Sequence, residues 1–294
     1  MSSMESPLPN SLIQSSQMSE QKSIRSPADA PEVHCGNLSV EFTQSTPKTY
    51  SWARSAKNSP RRVLDNLQMT VSGGEIVGLI GASGCGKSTL LRTIAGLQLP
   101  TAGSVTIAGK PINDCRDQLS FVFQEAALLP WRSVIENVQL PWELQGAGSR
   151  HRATENAAEL LRTVGLQDAD HHKLPSQLSG GMKMRASLAR SLVLDPSVLL
   201  LDEPFAALDD MLRWRLNALV LDLWKVRQRT ILFVTHNIAE AVFLSNRIAI
   251  MHEGQIAEWI DVQITGNRDE LLRSSVEFAA MYGKVSARLS EISH

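Results

Sequence analysis

Nine residues of this 294-residue chain, GASGCGKST at Gly81–Thr89, have the types and spacing to hold a phosphate chain. They fit G-x-x-x-x-G-K-[ST], with the apolar run EIVGLI before them and the helix-like run KSTLLRTIAG behind. Gly81, Gly84 and Gly86 let the backbone turn, so that the N–H groups of Ala82, Ser83, Cys85 and their neighbours point inward around phosphate oxygens. A helix N-terminus adds partial positive charge at the same place. Lys87 can reach the β- and γ-phosphates, the Ser88 hydroxyl is suited to Mg²⁺, and Thr89 closes the motif. A tight strand-to-helix turn with a chance lysine is the plainer explanation, and the strand-then-helix context disfavours it. Cys85 reads as a tolerated small residue whose alkylation would block nucleotide binding. Alone, the motif implies a nucleoside triphosphate.

A second group stands at the ends of apolar runs. VLLLDEPFAALD places Asp202 and Glu203 where a strand stops. In a parallel sheet that edge lies beside the phosphate loop. Asp202 suits Mg²⁺, and Glu203 suits a base that polarises a water aimed at the γ-phosphate. Taken alone, a solvated Asp-Glu pair explains them equally well. Gln124 in FVFQEAALLPW can sense Mg²⁺ or the attacking water, and His236 in ILFVTHN can contact the γ-phosphate. Each, isolated, reads as an ordinary loop or strand-end residue; the set gives them weight.

The third feature is LSGGMKMR, Leu178 to Arg185. Gly180 and Gly181 fall in the first turn of a helix, where each costs roughly 1 kcal/mol relative to alanine. Such a start implies that something approaches the backbone closely. An N-cap at Ser179 is the plainer alternative, and it leaves two glycines unexplained.

The elements that must position these residues follow from periodicity. EIVGLI, VLLLDE, TILFVT and RIAIM are short, apolar and β-branched, as strands buried on both faces are. Helical stretches alternate with them, so the fold class is α/β with a largely parallel sheet. EVHCGNLSVEF alternates as a strand, and TQSTPKTYSWARSAKNSPRR after it reads as a long exposed loop. Residues from about 126 to 178 read as a helical insert carrying SVIENVQLPWELQG and ATENAAELLRTVG. Residues 1–32, rich in Ser, Pro, Gln and Met, read as a flexible tail, residues 33–260 as the body and residues 261–294 as a helical extension.

With 43% hydrophobic and 20% charged residues and a net charge of −1, the chain has the composition of a soluble globular protein and no global field for nucleic acid. No run approaches the ~18 apolar residues of a membrane span, and the N-terminus lacks a secretory layout. Cys35, Cys85 and Cys115 form no paired spacing, which points to a reducing compartment.

In their order, GASGCGKST, Gln124, LSGG, VLLLDEP, ALD and His236 resemble the ATP-binding cassette (ABC) ATPases, over residues 33 to 260 or so. The resemblance implies a P-loop NTPase fold with a mainly parallel central sheet, an antiparallel β subdomain and an inserted helical subdomain. It also implies a homodimer in which LSGG of one chain meets ATP held by the other. Ser179 would then bond the γ-phosphate, and Gly180 and Gly181 would lend N–H groups. By the same matching, Lys87 and Ser88 bind phosphate and Mg²⁺, Asp202 supports the metal, Glu203 is the general base, and His236 and Gln124 are switch residues. Asp209 communicates across the dimer. Phe42 is the best-placed adenine-stacking aromatic, with Tyr50 and Trp52 as alternatives.

Finer likeness, in LLPW and in Met182 after the glycines, is to the ATPase subunits of bacterial nitrate, sulfonate and taurine importers. That implies two permease subunits, an extracytoplasmic solute-binding protein and a peripheral place on the cytoplasmic face of the plasma membrane. Met184 departs from that subfamily, as do the long tail, the insert at about 43–62 and the segment after HEGQI. A non-transport ABC ATPase acting on DNA or ribosomes is the competing function, and a nucleotide kinase leaves LSGG and His236 unexplained.

Overall fold

A computed structural model describes residues 30–42, 60–146, 150–206, 208–264, 266 and 268–293, the side chains of residues 150–152 and 270 excepted. Tyr50, Trp52 and most of the expected tail lie outside the described residues. Strand β1 (Val33–Phe42) pairs antiparallel with β2 (Arg61–Val71), and β3 (Ile76–Gly81) leads through the glycine-rich turn into α1 (Lys87–Ile94). Strands β4 (Ala102–Ile107) and β5 (Lys110–Pro111) follow, then β6 (Leu119–Val122). Helices α2 (Val134–Gln145), α3 (Arg150–Thr163) and α4 (Gly180–Leu192) come next. The chain then alternates: β7 (Val198–Asp202), α5 (Asp210–Arg227), β8 (Thr230–Val234), α6 (Ile238–Leu244) and β9 (Arg247–His252). Strand β10 (Gln255–Asp261) and helix α7 (Val276–Ser293) close it.

Two sheets result. One is antiparallel with order β2-β1-β4-β5; the other has order β10-β9-β3-β8-β7-β6, parallel throughout except for β10 at one edge. The apolar runs read as strands because both faces of this second sheet are buried. Ile76, Leu199, Phe233 and Ile250 point into one core, shared with Val138, Leu188, Val220 and Phe243 from the helices. Their neighbours Val77, Leu200, Leu232 and Ala249 point into the other, shared with Leu90 and Leu91 of α1 and with Leu38 and Leu67 of the antiparallel sheet. Each fully buried aliphatic side chain of this kind contributes roughly 1.5–3 kcal/mol. Helix α1 is thereby sandwiched between the two sheets, and its N-terminus is fixed at the carboxyl edge of β3.

Two expectations need correction, and one segment left unassigned gains a structure. The loop expected through residue 62 ends sooner, because Arg61 and Arg62 already belong to β2, where Arg62 pairs with Glu41 at 2.8 Å and Asp65 at 2.7 Å. The expected tail boundary at residue 32 is too late. Pro31 is buried and its carbonyl accepts from the Thr230 hydroxyl at 2.7 Å, while that of Glu32 accepts from Ala108 N–H at 2.8 Å. The segment QIAEWID after HEG forms β10, an edge strand with one half-exposed face.

Candidate nucleotide-binding site

The turn between β3 and α1 is shaped by what surrounds it. A Cβ on Gly81 (φ 152°) would come within 2.3 Å of the Met251 carbonyl oxygen of β9, and one on Gly86 (φ 109°) within 2.9 Å of the Val63 oxygen of β2. Any side chain at either point displaces a neighbouring strand. Lys87, largely buried, folds its chain back over the turn. Its Nζ donates to the carbonyls of Gly81 (2.8 Å) and Ala82 (2.9 Å) and lies 3.8 Å from the Cys85 sulfur. The ammonium therefore sits in the mouth of the loop, held by weak acceptors that phosphate oxygens can replace. Ser83 and Gly84 form the exposed crest of the turn, and Thr89 is half-buried.

One residue along α1, the Ser88 hydroxyl donates to Asp202 Oδ1 at 2.7 Å. Asp202 is 1% exposed, and its Oδ2 has no hydrogen-bond partner, with Arg92 at 3.6 Å. Burial pushes its carboxyl up, against the opposing pull of the Ser88 hydrogen bond and the Arg92 charge. A buried carboxylate oxygen without a partner is costly unless a cation or ordered water completes it. Among the described residues no three His, Cys, Asp or Glu side chains cluster for a metal. Ser88 and Asp202 therefore fit a hard cation that takes its remaining ligands from phosphate and water, which is the manner of Mg²⁺.

Asp202 pairs in register with Val234 of β8, and the next residue departs from the sheet. Glu203 adopts φ 47°, left-handed for a non-glycine residue, while its N–H donates to the Val234 carbonyl at 3.1 Å. Such a conformation costs about 1–3 kcal/mol and is retained where the surroundings impose it. It aims the carboxylate at His236, with Oε2 at 3.4 Å from Nδ1. His236 is held from below. Thr235 N–H donates to the Leu79 carbonyl at 3.2 Å, the Thr235 hydroxyl donates to the buried Glu240 carboxyl, and Asn237 caps α6.

The phosphate loop, Phe42, Gln124, Glu203 and His236 share one open cleft of about 850 Å³. Phe42, 41% exposed, ends β1 at its mouth, opposite Arg61 in the strand pairing. Arg61 and Val63 line the same cleft and escaped the sequence reading. RRV at the end of a turn-rich segment carries little local signal, and its place in the cleft is legible only once Phe42 is known to lie across from Arg61. Gln124 follows β6 and is exposed.

Ser179, Gly180 and Gly181 do not line this cleft. Ser179 caps α4, its Oγ accepting from Met182 N–H at 3.3 Å, and both Ser179 and Gly180 are exposed. A Cβ on Gly180 would meet nothing within 4 Å, whereas one on Gly181 would sit 3.1 Å from Leu208 and from Leu212. The two glycines thus differ in their surroundings: a side chain at Gly181 would press on Leu208 and Leu212, and one at Gly180 would meet open space. Asp209 caps α5, accepting from Leu212 N–H at 2.9 Å.

Comparison with known proteins gives the family. The sequence profile of the family described as ABC transporter matches residues 64–206. An aliphatic sulfonates import ATP-binding protein of Yersinia pestis bv. Antiqua is 40% identical over 229 residues, 78% of this chain and 80% of that protein. A second such protein, from Mesorhizobium japonicum, is 42% identical over 228 residues, 77% of this chain and 83% of its own length. Among solved structures, a dimeric ATP-binding cassette in a post-hydrolysis state with ADP and Pi matches with a TM-score of 0.70 and 29% identity, over 79% of this chain and 99% of that one. Among the described residues no helix is long and apolar enough to cross a membrane. The chain belongs to the ATP-binding proteins of the ABC transporter family, and its chemistry is ATP hydrolysis coupled to transport.

Proposed function

We propose that the chain is the ATPase subunit of an importer for a small anionic solute such as a sulfonate, taurine or nitrate. It works as a homodimer on two membrane permease subunits, served by an extracytoplasmic solute-binding protein, on the cytoplasmic face of the plasma membrane. The observation that carries this reading is the division of the site. The phosphate loop, Glu203 and His236 share a cleft, while Ser179 and Gly180 present an exposed helix N-terminus outside it. A helix N-terminus of this kind suits an anion, and the γ-phosphate held by a second copy is the anion the family arrangement offers. The identity to sulfonate-import proteins supports the solute class.

In this reading the loop N–H groups from Ala82 to Thr89 and the Lys87 ammonium bind the β- and γ-phosphates, Lys87 releasing the Gly81 and Ala82 carbonyls. Phe42 stacks on adenine, Val63 packs beside it, and Arg61 adds a cation at the cleft mouth. Ser88 and Asp202, with Gln124, would hold Mg²⁺, which supplies charge neutralisation at the phosphates when bound. Glu203 takes the proton of the attacking water, and His236 orients Glu203 while facing the γ-phosphate. Gln124 links nucleotide to the helical region, and Asp209 carries the signal between copies. The ALLPW segment, with Trp131 73% exposed, supplies a permease-docking surface. Purification with its permease and solute-binding protein into vesicles tests this. ATP hydrolysis stimulated by a sulfonate, taurine or nitrate is expected. Hydrolysis indifferent to all three, with the chain associating with DNA or ribosomes instead, contradicts it.

A further inference from the structure

We propose that Arg190 is a positioning residue that ties the loop bearing Gln124 to the C-terminal turn of α4, so that Gln124 and Ser179 move as parts of one body. This rests on the roles given above to Gln124 and Ser179.

Arg190 Nη1 donates to the Ala127 carbonyl at 2.8 Å and Nη2 to the Ala126 carbonyl at 3.1 Å. Two consecutive carbonyls point the same way only if the residue between them turns, because in extended chain they alternate. Ala127 makes that turn, with φ 44°. A non-glycine residue in the left-handed region is held there by its surroundings, and the Arg190 fork is the contact that rewards it. No carboxylate lies within ion-pair distance of Arg190 among the described residues. Burial lowers its pKa with no opposing charge. A half-buried cation whose hydrogen bonds among the described residues go to two carbonyls is an expensive way to pin a loop unless the position of that loop matters.

The remainder of the loop is held from a different helix. Asn137 of α2 accepts from Leu129 N–H and donates to the carbonyls of Leu129, Arg132 and Ser133. The stretch nearest Gln124 therefore follows α4, while the stretch beyond follows α2. Gln124 itself, two residues before Ala126, has no side-chain hydrogen bond among the described residues, so Arg190 is its nearest side-chain anchor on a helix. Eleven residues separate Ser179 from Arg190, about 16 Å of helix at 1.5 Å per residue. One end of this rod is the exposed anion-binding turn; the other grips the loop that faces the chain's own nucleotide. A displacement of Ser179 by the partner's ATP reaches Gln124 through Arg190.

A double-substitution cycle on the full-length chain tests the coupling. The reagents are Arg190→Gln, Gln124→Ala and the double variant, with ATP turnover, Mg²⁺-free binding of a trinitrophenyl-ATP probe and thermal melting as readouts. Arg190→Gln is expected to leave probe affinity within about twofold, to lower kcat about tenfold, and to cause no further loss when Gln124→Ala is already present. Arg190→Lys, which reaches one carbonyl at a time, falls between, and carries the same cycle if Arg190→Gln fails to fold. Losses that multiply in the double variant, as for a merely structural arginine, overturn the proposal. Unchanged kcat for Arg190→Gln beside a crippled Gln124→Ala overturns it alone. Unchanged kcat for Gln124→Ala overturns the role of Gln124, and the proposal with it.

Discussion

Glu203 and His236 face each other at 3.4 Å from the ends of neighbouring parallel strands, and the backbone between them is locked by the Glu203 N–H bond to the Val234 carbonyl. The pair is oriented by the sheet itself, since β7 and β8 run in register from Val198 opposite Thr230 to Asp202 opposite Val234. The left-handed turn at Glu203 is where the chain leaves that register, and its carboxylate faces His236 in the cleft shared with the phosphate loop.

Glu203→Gln keeps the shape of this turn and removes the proposed base. Turnover is expected to fall by about 10²–10⁴-fold, with ATP affinity within a few-fold of the parent. Steady-state hydrolysis and equilibrium binding on the same preparation check it. Hydrolysis at the parental rate would remove Glu203 from the mechanism.

Phe42 stands at the cleft mouth with Arg61 across from it. Phe42→Ala is expected to weaken ATP binding by about 1–3 kcal/mol, the value of one base–aromatic stack, and Phe42→Trp to retain it. Arg61→Ala is expected to weaken ATP less than Phe42→Ala does. Isothermal titration measures all three. Unaltered affinity in Phe42→Ala would move the stacking role to Tyr50 or Trp52.

His171 lies buried between α3 and α4, its Nε2 without a hydrogen-bond partner. Burial lowers its pKa, aided by Arg162 and His172, while Asp168, 3.8 Å away, opposes. The folded pKa is thus below the unfolded value of 6.5, so the unfolded chain takes the proton first as pH falls. Stability is expected to decline below about pH 6.5 and to level off once folded His171 is itself protonated. Urea midpoints measured from about pH 7.5 to about pH 5 should show a shallower decline in His171→Gln than in the parent.

Asn137 is fully buried and satisfies four backbone groups of the loop before α2. Asn137→Ala removes the side-chain partner of the Leu129 N–H and the Arg132 carbonyl, while the Leu129 and Ser133 carbonyls keep the backbone N–H groups of Arg132 and Asn137, and a loss of about 2–4 kcal/mol is expected. A urea titration reads it, and a change under about 0.5 kcal/mol would mean that the loop is held by other means.

Much of this architecture was legible because its signals are local. The phosphate loop is nine contiguous residues, and the buried strands are short β-branched runs whose period is hidden by burial on both faces. What escaped depends on contacts distant in sequence. Arg61 joins the cleft only through its register with Phe42, across a segment that reads as loop. The closeness of Leu208 and Leu212 to Gly181 is equally distant in sequence and leaves no local signal. The grip of Arg190 on Ala126 and Ala127 leaves no trace in composition, since carbonyl acceptors belong to every residue. Strand β10 was missed because a half-exposed edge strand carries a broken alternation.

The central claim is that Ser179 of one copy completes the site built by the phosphate loop and Glu203 of another. Light scattering on size-exclusion peaks of Glu203→Gln with ATP and Mg²⁺ tests it most directly. The account predicts a species of twice the 32.3 kDa chain mass, which returns to 32.3 kDa when Ser179→Arg is added. A mass of 32.3 kDa in saturating ATP, or a dimer that persists unchanged with Ser179→Arg, would contradict it.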